Sequence, residues 1–384
     1  MPRPAATMVA ALLAGVALAG CGASHDSGDA ATRRVDTGTP SFSDPATVTN
    51  PLFPLAPGSQ TIQLGQEEGE PLRVEVTTLP RTRTITWAGR RIEAVVSQYV
   101  AYRAGRIVEV AYDYYAQDDD GGVWYLGEDV DNYEDGVVVD HDGSWLAGRD
   151  GPGGLIMPAD PRQGDVYRPE NIPDLVFEEV TVQDDDVTAD GPRGPVHGAI
   201  ATEERLMEGT VEHKVFAPGY GEFRAEAADE LVQVALAVPT DAVAGPVPAV
   251  LTQLADGAAR VFDDAGAGGV AVRGHVDAMT AAWRDRPDET APAALAAALE
   301  DALDRLSDAA GSGDTAGVRQ AAVDTTTAVL DLTLAYRPPA EVDAARLDVV
   351  ARQLAIDTAA ADLPGQRSDA ALVAVLRDRG ALTR

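Results

Sequence analysis

Residues Tyr112 to Asp131 read YDYYAQDDDGGVWYLGEDVD. Five of these twenty residues are aromatic, in a chain whose aromatic content is only 5%. Aromatic and polar residues alternate on both sides of Asp118-Asp119-Asp120-Gly121-Gly122, which predicts two antiparallel strands joined by a tight turn. The neighbouring sequence extends the pattern. Leu72 to Leu79 sets Val74 and Val76 against Arg73 and Glu75, and Ala104-Gly105 divides the longer strands Arg91 to Tyr102 and Arg106 to Tyr115. In the second of these, Val108, Val110, Tyr112 and Tyr114 share one face while Glu109, Ala111 and Asp113 share the other. That alternation predicts a half-buried strand with a water-facing side. The three prolines of NPLFPLAPG, residues 50–58, exclude a helix and predict an extended segment with a turn at Pro57-Gly58.

Strand signals fade beyond Glu222, and VPTDAVAGPVP, residues 238–248, reads as a linker. From Ala249 the apolar period becomes helical. Leu251, Leu254, Ala258 and Val261 form one stripe; Val272, Val276, Met279 and Trp283 a second; Leu295, Leu299, Leu303 and Leu306 a third. Val318, Ala322, Thr325, Val329 and Leu332 continue in a fourth helix that stops at Arg337-Pro338-Pro339. Ala344, Leu347, Ala351 and Leu354 predict a fifth, and Leu372, Val375 and Leu376 a short sixth with Ser368 as N-cap and Gly380 as its stop. The expected fold is therefore α+β: an N-terminal antiparallel β domain over residues 50–237, then a separate C-terminal α-helical bundle over residues 249–384.

Ahead of the β domain, Arg3, an apolar run from Met8 to Ala19, and Leu18-Ala19-Gly20 lead directly to Cys21, the sole cysteine. This start is similar to a bacterial lipoprotein signal peptide, residues 1–20, with a lipobox whose Cys21 thiol is acylated. The apolar run is too short to span a bilayer. Residues 21–49 are rich in Ser, Thr, Asp, Gly and Ala and are expected to form a flexible tether. With one cysteine, no intramolecular disulfide and no cysteine-based zinc or iron–sulfur site can form.

The formal charge of -32, from 62 acidic and 30 basic residues, repels nucleic acid. Lys214 is the only lysine.

Five stretches carry a resemblance: NPLFPLAPG at 50–58, DYYAQDDDGGVWYLGED at 113–129, YEDG with GSWLAG at 133–148, GLIMPADPRQGDVYRPE at 154–170, and EHKVFAPGYGEFR at 212–224. Together they are similar to a group of secreted proteins and lipoproteins common in actinobacteria, to which no chemistry is assigned. The resemblance covers about residues 50–230 and implies an extracytoplasmic, mainly β domain; it supplies no catalytic residues. Gly121-Gly122 and Val215-Phe216 depart from its pattern.

Candidate chemistry starts from the acids of the hairpin. Asp118, Asp120, Glu128, Asp129 and Asp131 are candidate Ca2+ ligands, since calcium takes six to eight oxygens and clustered loop carboxylates supply them. Turn aspartates also occur without a ligand, and the EF-hand spacing is absent. His275 and Met279 lie one helical turn apart and are candidates for a metal or haem site within the bundle. A hydrolase would have to use His141, His197 or His213, but no G-x-S-x-G motif accompanies them. Asp324, Asp331, Arg346 and Arg352 read as interhelical or solvated charges. With no catalytic constellation in view, the expected function is a non-enzymatic cell-envelope binding protein held at the membrane by its lipid. Its partner is expected to be an envelope protein or a small-molecule ligand.

The lipid anchor has a direct test: a Cys21→Ser variant should move from the membrane fraction to the soluble fraction. A variant that still sediments with membranes contradicts acylation at Cys21.

Overall fold

The computed structural model describes residues 32–266, 269–286 and 291–380. The expected signal peptide, Cys21 and the expected tether up to residue 31 lie outside the described residues. Among these residues the strands are β1 (Arg33–Arg34), β2 (Gln60–Glu67), β3 (Glu70–Trp87), β4 (Arg90–Arg103), β5 (Arg106–Gln117), β6 (Val123–Glu134), β7 (Val137–Asp140) and β8 (Trp145–Leu146). They continue with β9 (Gly154–Met157), β10 (Asp165–Ile172), β11 (Val176–Gly191), β12 (Gly194–Leu206), β13 (Val211–Ala217), β14 (Gly221–Ala227) and β15 (Glu230–Val238). All belong to one sheet in the order β1-β10-β11-β12-β13-β14-β15-β2-β3-β4-β5-β6-β7, with β8 and β9 also paired to β6. Every pairing is antiparallel except β1 with β10.

Most neighbours in the sheet are neighbours in sequence, because short turns can join only antiparallel strands. At Ala104-Gly105 both residues have positive φ, 48° and 78°, the backbone twist that matches a two-residue hairpin. The sheet rolls until its ends meet, with β9 lying against β10. Gly154 makes that closure possible, since a Cβ there would sit 2.0 Å from the Pro169 carbonyl oxygen. A large apolar cluster fills one end of the roll around Trp145, Tyr167, Leu126 and Met157, all fully buried.

Six helices follow among the described residues: α1 (Ala249–Asp264), α2 (Gly269–Arg284), α3 (Ala293–Ser312), α4 (Thr315–Thr333), α5 (Pro339–Ala360) and α6 (Leu363–Gly380). The fold is thus a β domain followed by a helical bundle. The stripes expected for α1 to α3 are buried, as is that of α4. Their core is continuous with the outer face of the sheet through Ile62, Leu64, Ala235 and Leu236. The α5–α6 hairpin covers β3 to β5, where Val375 packs on Val100, Tyr102 and Val110.

Three expectations are corrected here. Helix α5 buries Val342, Asp343, Arg346, Val350 and Asp357, whereas Ala344, Ala351 and Leu354 of the expected stripe are exposed. Its buried face is polar because it meets charges on the sheet. Ser368 lies inside α6, where its Oγ accepts a 3.0 Å hydrogen bond from the Ile107 amide, so it caps no helix. Residues 32–49 run along the sheet: Val35, Phe42, Ala46 and Val48 pack on the β core, and Asp119 accepts bonds from Ser41 Oγ and the Ser43 amide. A few apolar residues suffice to dock a segment whose average composition is polar.

The charges under α5 and α6 form one buried cluster. Arg73 bridges Glu75 and Asp331 at 2.7 and 2.6 Å, Arg346 bridges Asp343 and Asp331 at 2.9 and 3.0 Å, and Arg379 reaches Glu75 at 2.7 Å. Gln60 and Gln98 accept from Arg346 and Arg379. Three guanidinium groups thus face three carboxylates between strands and helices, and Arg379 is only 4% exposed. Burial alone would raise the Glu75 pKa, but the charges of Arg346, Arg73 and Arg379 outweigh it and hold the carboxyl well below its usual range.

Removing one member leaves buried charge uncompensated. Glu75→Ala should lower the unfolding free energy by about 3–5 kcal/mol. Arg81→Ala, whose pair with Asp378 is about one-third exposed, should cost roughly 0–1 kcal/mol. Urea titration of both variants decides the matter; equal losses would mean the cluster has no special role.

Candidate binding cavity

Period-two alternation sends every second side chain of the rolled sheet inward. From β2 these are Ser59 (just before the strand), Thr61 and Gln63; from β3, Val76 and Thr78; from β4, Ser97 and Tyr99. The face of β5 that carries Glu109 and Asp113, expected to meet water, is the interior of the roll. The opposite face, with Val110 and Tyr112, lies under α6. Both faces are covered because the helices seal the outside, something alternation on one strand does not encode.

The interior holds a cavity of about 310 Å³. Six carboxylates line it: Asp113, Glu128, Glu170, Glu178, Glu204 and Glu222. A single cation among its lining residues answers them, Lys214, whose Nζ lies 2.9 Å from Glu204, 3.3 Å from Glu222 and 3.4 Å from Glu212. Phe53, Tyr99, Tyr115, Tyr125 and Phe216 supply aromatic wall. Tyr125 stacks on Tyr115 with ring centroids 4.9 Å apart, and Phe53 meets Tyr115 edge-on at 5.0 Å.

Burial governs the protonation of this lining. It pushes Asp113 up to about 7, even though Tyr125 Oη donates a 2.9 Å hydrogen bond to its Oδ1. Burial, reinforced by the charges of Asp113 and Glu170, raises Glu128 well above the carboxylate range. Glu170 is raised by burial against the bond that Trp145 Nε1 donates to it at 2.6 Å. Glu178 is pushed well up by burial and by the charge of Glu204. Burial also acts on Glu204, but Lys214 and the hydroxyl of Thr202 prevail and keep it below the usual value. Burial would depress Lys214; Glu204, Glu222 and Glu212 overcome it and hold the ammonium well above its ordinary pKa. The lysine is therefore a fixed cation, unsuited to act as a neutral nucleophile.

The expected calcium ligands do not come together. Asp118 closes its own turn, accepting from the Asp120 and Gly122 amides and from Trp124 Nε1. Asp129 pairs with Arg83 and Tyr114 on the outside, and Asp131 with His141. Glu128 alone of the five points into the cavity, on the face of β6 opposite Asp129. Asp120 is exposed at the tip of the turn. Among the described residues no three His, Cys, Asp or Glu side chains are arranged to hold a metal ion. His275 and Met279 do border one surface groove, with Asp256 and Arg260. His275 Nε2 is 3.4 Å from Asp264, and Met279 is buried against Gly257, so the pair is absorbed by packing and a salt bridge. Asp331 and Arg346, read as interhelical or solvated, belong to the buried cluster on the sheet.

Sequence reasoning missed Lys214, Glu170, Glu178, Glu204 and Glu222 as site residues. A signal for the first was present: one lysine in a chain whose other 29 cations are arginine. The acids carried none, because 62 acidic residues hide them.

No family model matches the chain, and no curated protein matches it. Among solved structures, a Bacteroides fragilis protein described as exported and as having a YmcC-like fold is 14% identical, with a TM-score of 0.28, over 48% of this chain and 97% of that one. A Parabacteroides distasonis protein described as a lipoprotein is 12% identical, with a TM-score of 0.27, over 50% of this chain and 100% of that one. None of the described helices is long and apolar enough to cross a membrane.

The raised Asp113 value carries a pH consequence. Between the ordinary 3.8 and about 7 the folded state holds a proton that the unfolded state has released, so this group's contribution to stability falls as pH rises through that window. Asp113→Asn keeps the acceptor for Tyr125 and removes the titration. At pH 8 the variant should melt roughly 3–8 °C above the parent, and at pH 4 the two should coincide. Calorimetric melting temperatures across pH 4–8 check this; parallel curves would contradict it.

Proposed function

We propose that this protein is a non-enzymatic binding protein of the cell envelope, anchored through a lipid on Cys21, that holds a small polar ligand inside its rolled sheet. One observation carries the reading: a cavity of about 310 Å³ inside the rolled sheet, lined by six carboxylates against one lysine. That volume lies at the lower end of the range for small-molecule sites, roughly 300–1,000 Å³. Buried carboxyl groups short of counter-charges cost stability, and native folds concentrate such violations where a ligand is bound. Four of the five stretches on which the actinobacterial resemblance rests converge on this cavity. They contribute Phe53 to Leu55; Asp113, Tyr115, Tyr125 and Glu128; Ile156, Pro169 and Glu170; and Lys214, Phe216 and Tyr220 to Glu222. The remaining stretch supplies Trp145, which holds Glu170. No Ser–His or Cys–His pair lies among the lining residues, which supports binding over hydrolysis.

Native mass spectrometry of protein purified from its envelope should show a small noncovalent adduct. Ser97→Trp, which fills the cavity from β4, should lose it while keeping the parent circular dichroism spectrum. An adduct that survives the filled cavity, or a parent protein without one, overturns the reading.

A further inference from the structure

The cavity's acids fall into two groups, and the difference between them identifies the ligand's chemistry; the argument rests on the cavity being a ligand site. Glu204 and Glu222 have a cation of the chain's own in Lys214. Asp113, Glu128 and Glu170 form no ion pair with a basic side chain among the described residues. Their hydrogen-bond donors are side chains fixed in the wall: Tyr125 Oη bonds Asp113 Oδ1, and Trp145 Nε1 bonds Glu170 Oε1. Glu128 and Glu170 also share a carboxyl–carboxyl hydrogen bond, whereas the second oxygen of Asp113 has no protein donor among the described residues.

Tyr115 is the independent pointer to a ligand. It is 8% exposed and lines the cavity, yet its hydroxyl makes no hydrogen bond among the described residues. Asp113, Glu128, Glu222 and Lys214 line the same space as this phenol. Buried tyrosine hydroxyls ordinarily find a partner. Here the missing partner is the cavity's occupant.

A metal ion fits this lining poorly. Calcium needs six to eight converging oxygens at about 2.3–2.6 Å, and no three acids converge in that way among the described residues. Aromatic faces beside unpaired carboxyl groups suit a different cation, one with an apolar body and a compact charged end. Rings attract such a charge through their quadrupole, while carboxylates accept its N–H donors.

We propose that the half of the cavity bounded by Asp113, Glu128, Glu170 and the rings of Phe53 and Tyr115 binds the ammonium end of a small organic amine, with the Tyr115 hydroxyl bonding a second polar group of the same molecule. Lys214 then excludes a second ammonium from the Glu204–Glu222 side and orients the amine toward Asp113. One cation is supplied by the chain, the other by the ligand.

Calorimetric titration of the soluble Cys21→Ser protein with phenethylamine, with its neutral counterpart 2-phenylethanol, and with Ca2+ tests the assignment. Phenethylamine should bind at least tenfold more tightly than 2-phenylethanol. Asp113→Asn and Glu170→Gln, made separately so that Tyr125 and Trp145 keep their acceptors, should each erase most of that preference. Glu93→Gln, exposed and outside the cavity lining, should retain it. Equal affinity for the amine and the alcohol, abolished by Ser97→Trp, would overturn the amine assignment and leave the cavity as a binding site. Binding of Ca2+ but not the amine, lost in the Asp113 and Glu170 variants, would replace it with a metal site. Binding of any probe that is indifferent to Ser97→Trp would overturn the cavity reading itself.

Discussion

Three arginines and three carboxylates, sealed between β3 and the last helices, set the arrangement of this molecule. Taking six charges out of water is costly, and mutual pairing offsets the cost only when every partner is in place. Arg73 and Glu75 come from the sheet, Asp331 from α4, Asp343 and Arg346 from α5, and Arg379 from α6. Sliding any one of these elements by a residue would strand a buried charge. The cluster therefore selects one register of the helices on the sheet, where apolar contact alone would tolerate several. It also determines which face of β2 to β5 is outside, and so which face must close on itself.

The closed face follows a different electrostatic rule. At the helix interface the charges balance; inside the roll Lys214 pairs with Glu204 and Glu222, and the remaining excess of acid appears as raised carboxyl pKa values. Protons stand in for the missing cations. The stability given up at the interior acids is tolerable because the aromatic packing around Trp145 and Tyr167 and the helix–sheet core are extensive.

Much of the architecture was legible locally. The alternation around Asp118 to Gly122 does form a hairpin, Ala104-Gly105 does turn, and the stripes of α1 to α4 are the buried ones. Helix α5 was misread because apolar periodicity assumes an apolar neighbour, and its neighbour is a pair of charged residues on a strand. Residues 32–49 were misread because docking there depends on Phe42, Val48 and the carboxylate of Asp119, not on average composition. Of the five hairpin acids offered as ligands, only Glu128 reaches the cavity: β6 turns alternate side chains to opposite faces, and Gly127, with φ of 122°, shifts the register just before it.

By itself the sequence determined the division into a strand-rich half and a helical half, the turns, the sole cysteine and the excess of acid. Those properties reside in periodicity and composition over short windows, which the chain carries whether or not it is folded. Only the tertiary structure decided which acids share a cavity, which find arginines, and that the one lysine stands among the former. Segments from residue 53 to residue 222 must be brought together to make the cavity, and no local pattern records where a rolled sheet will close.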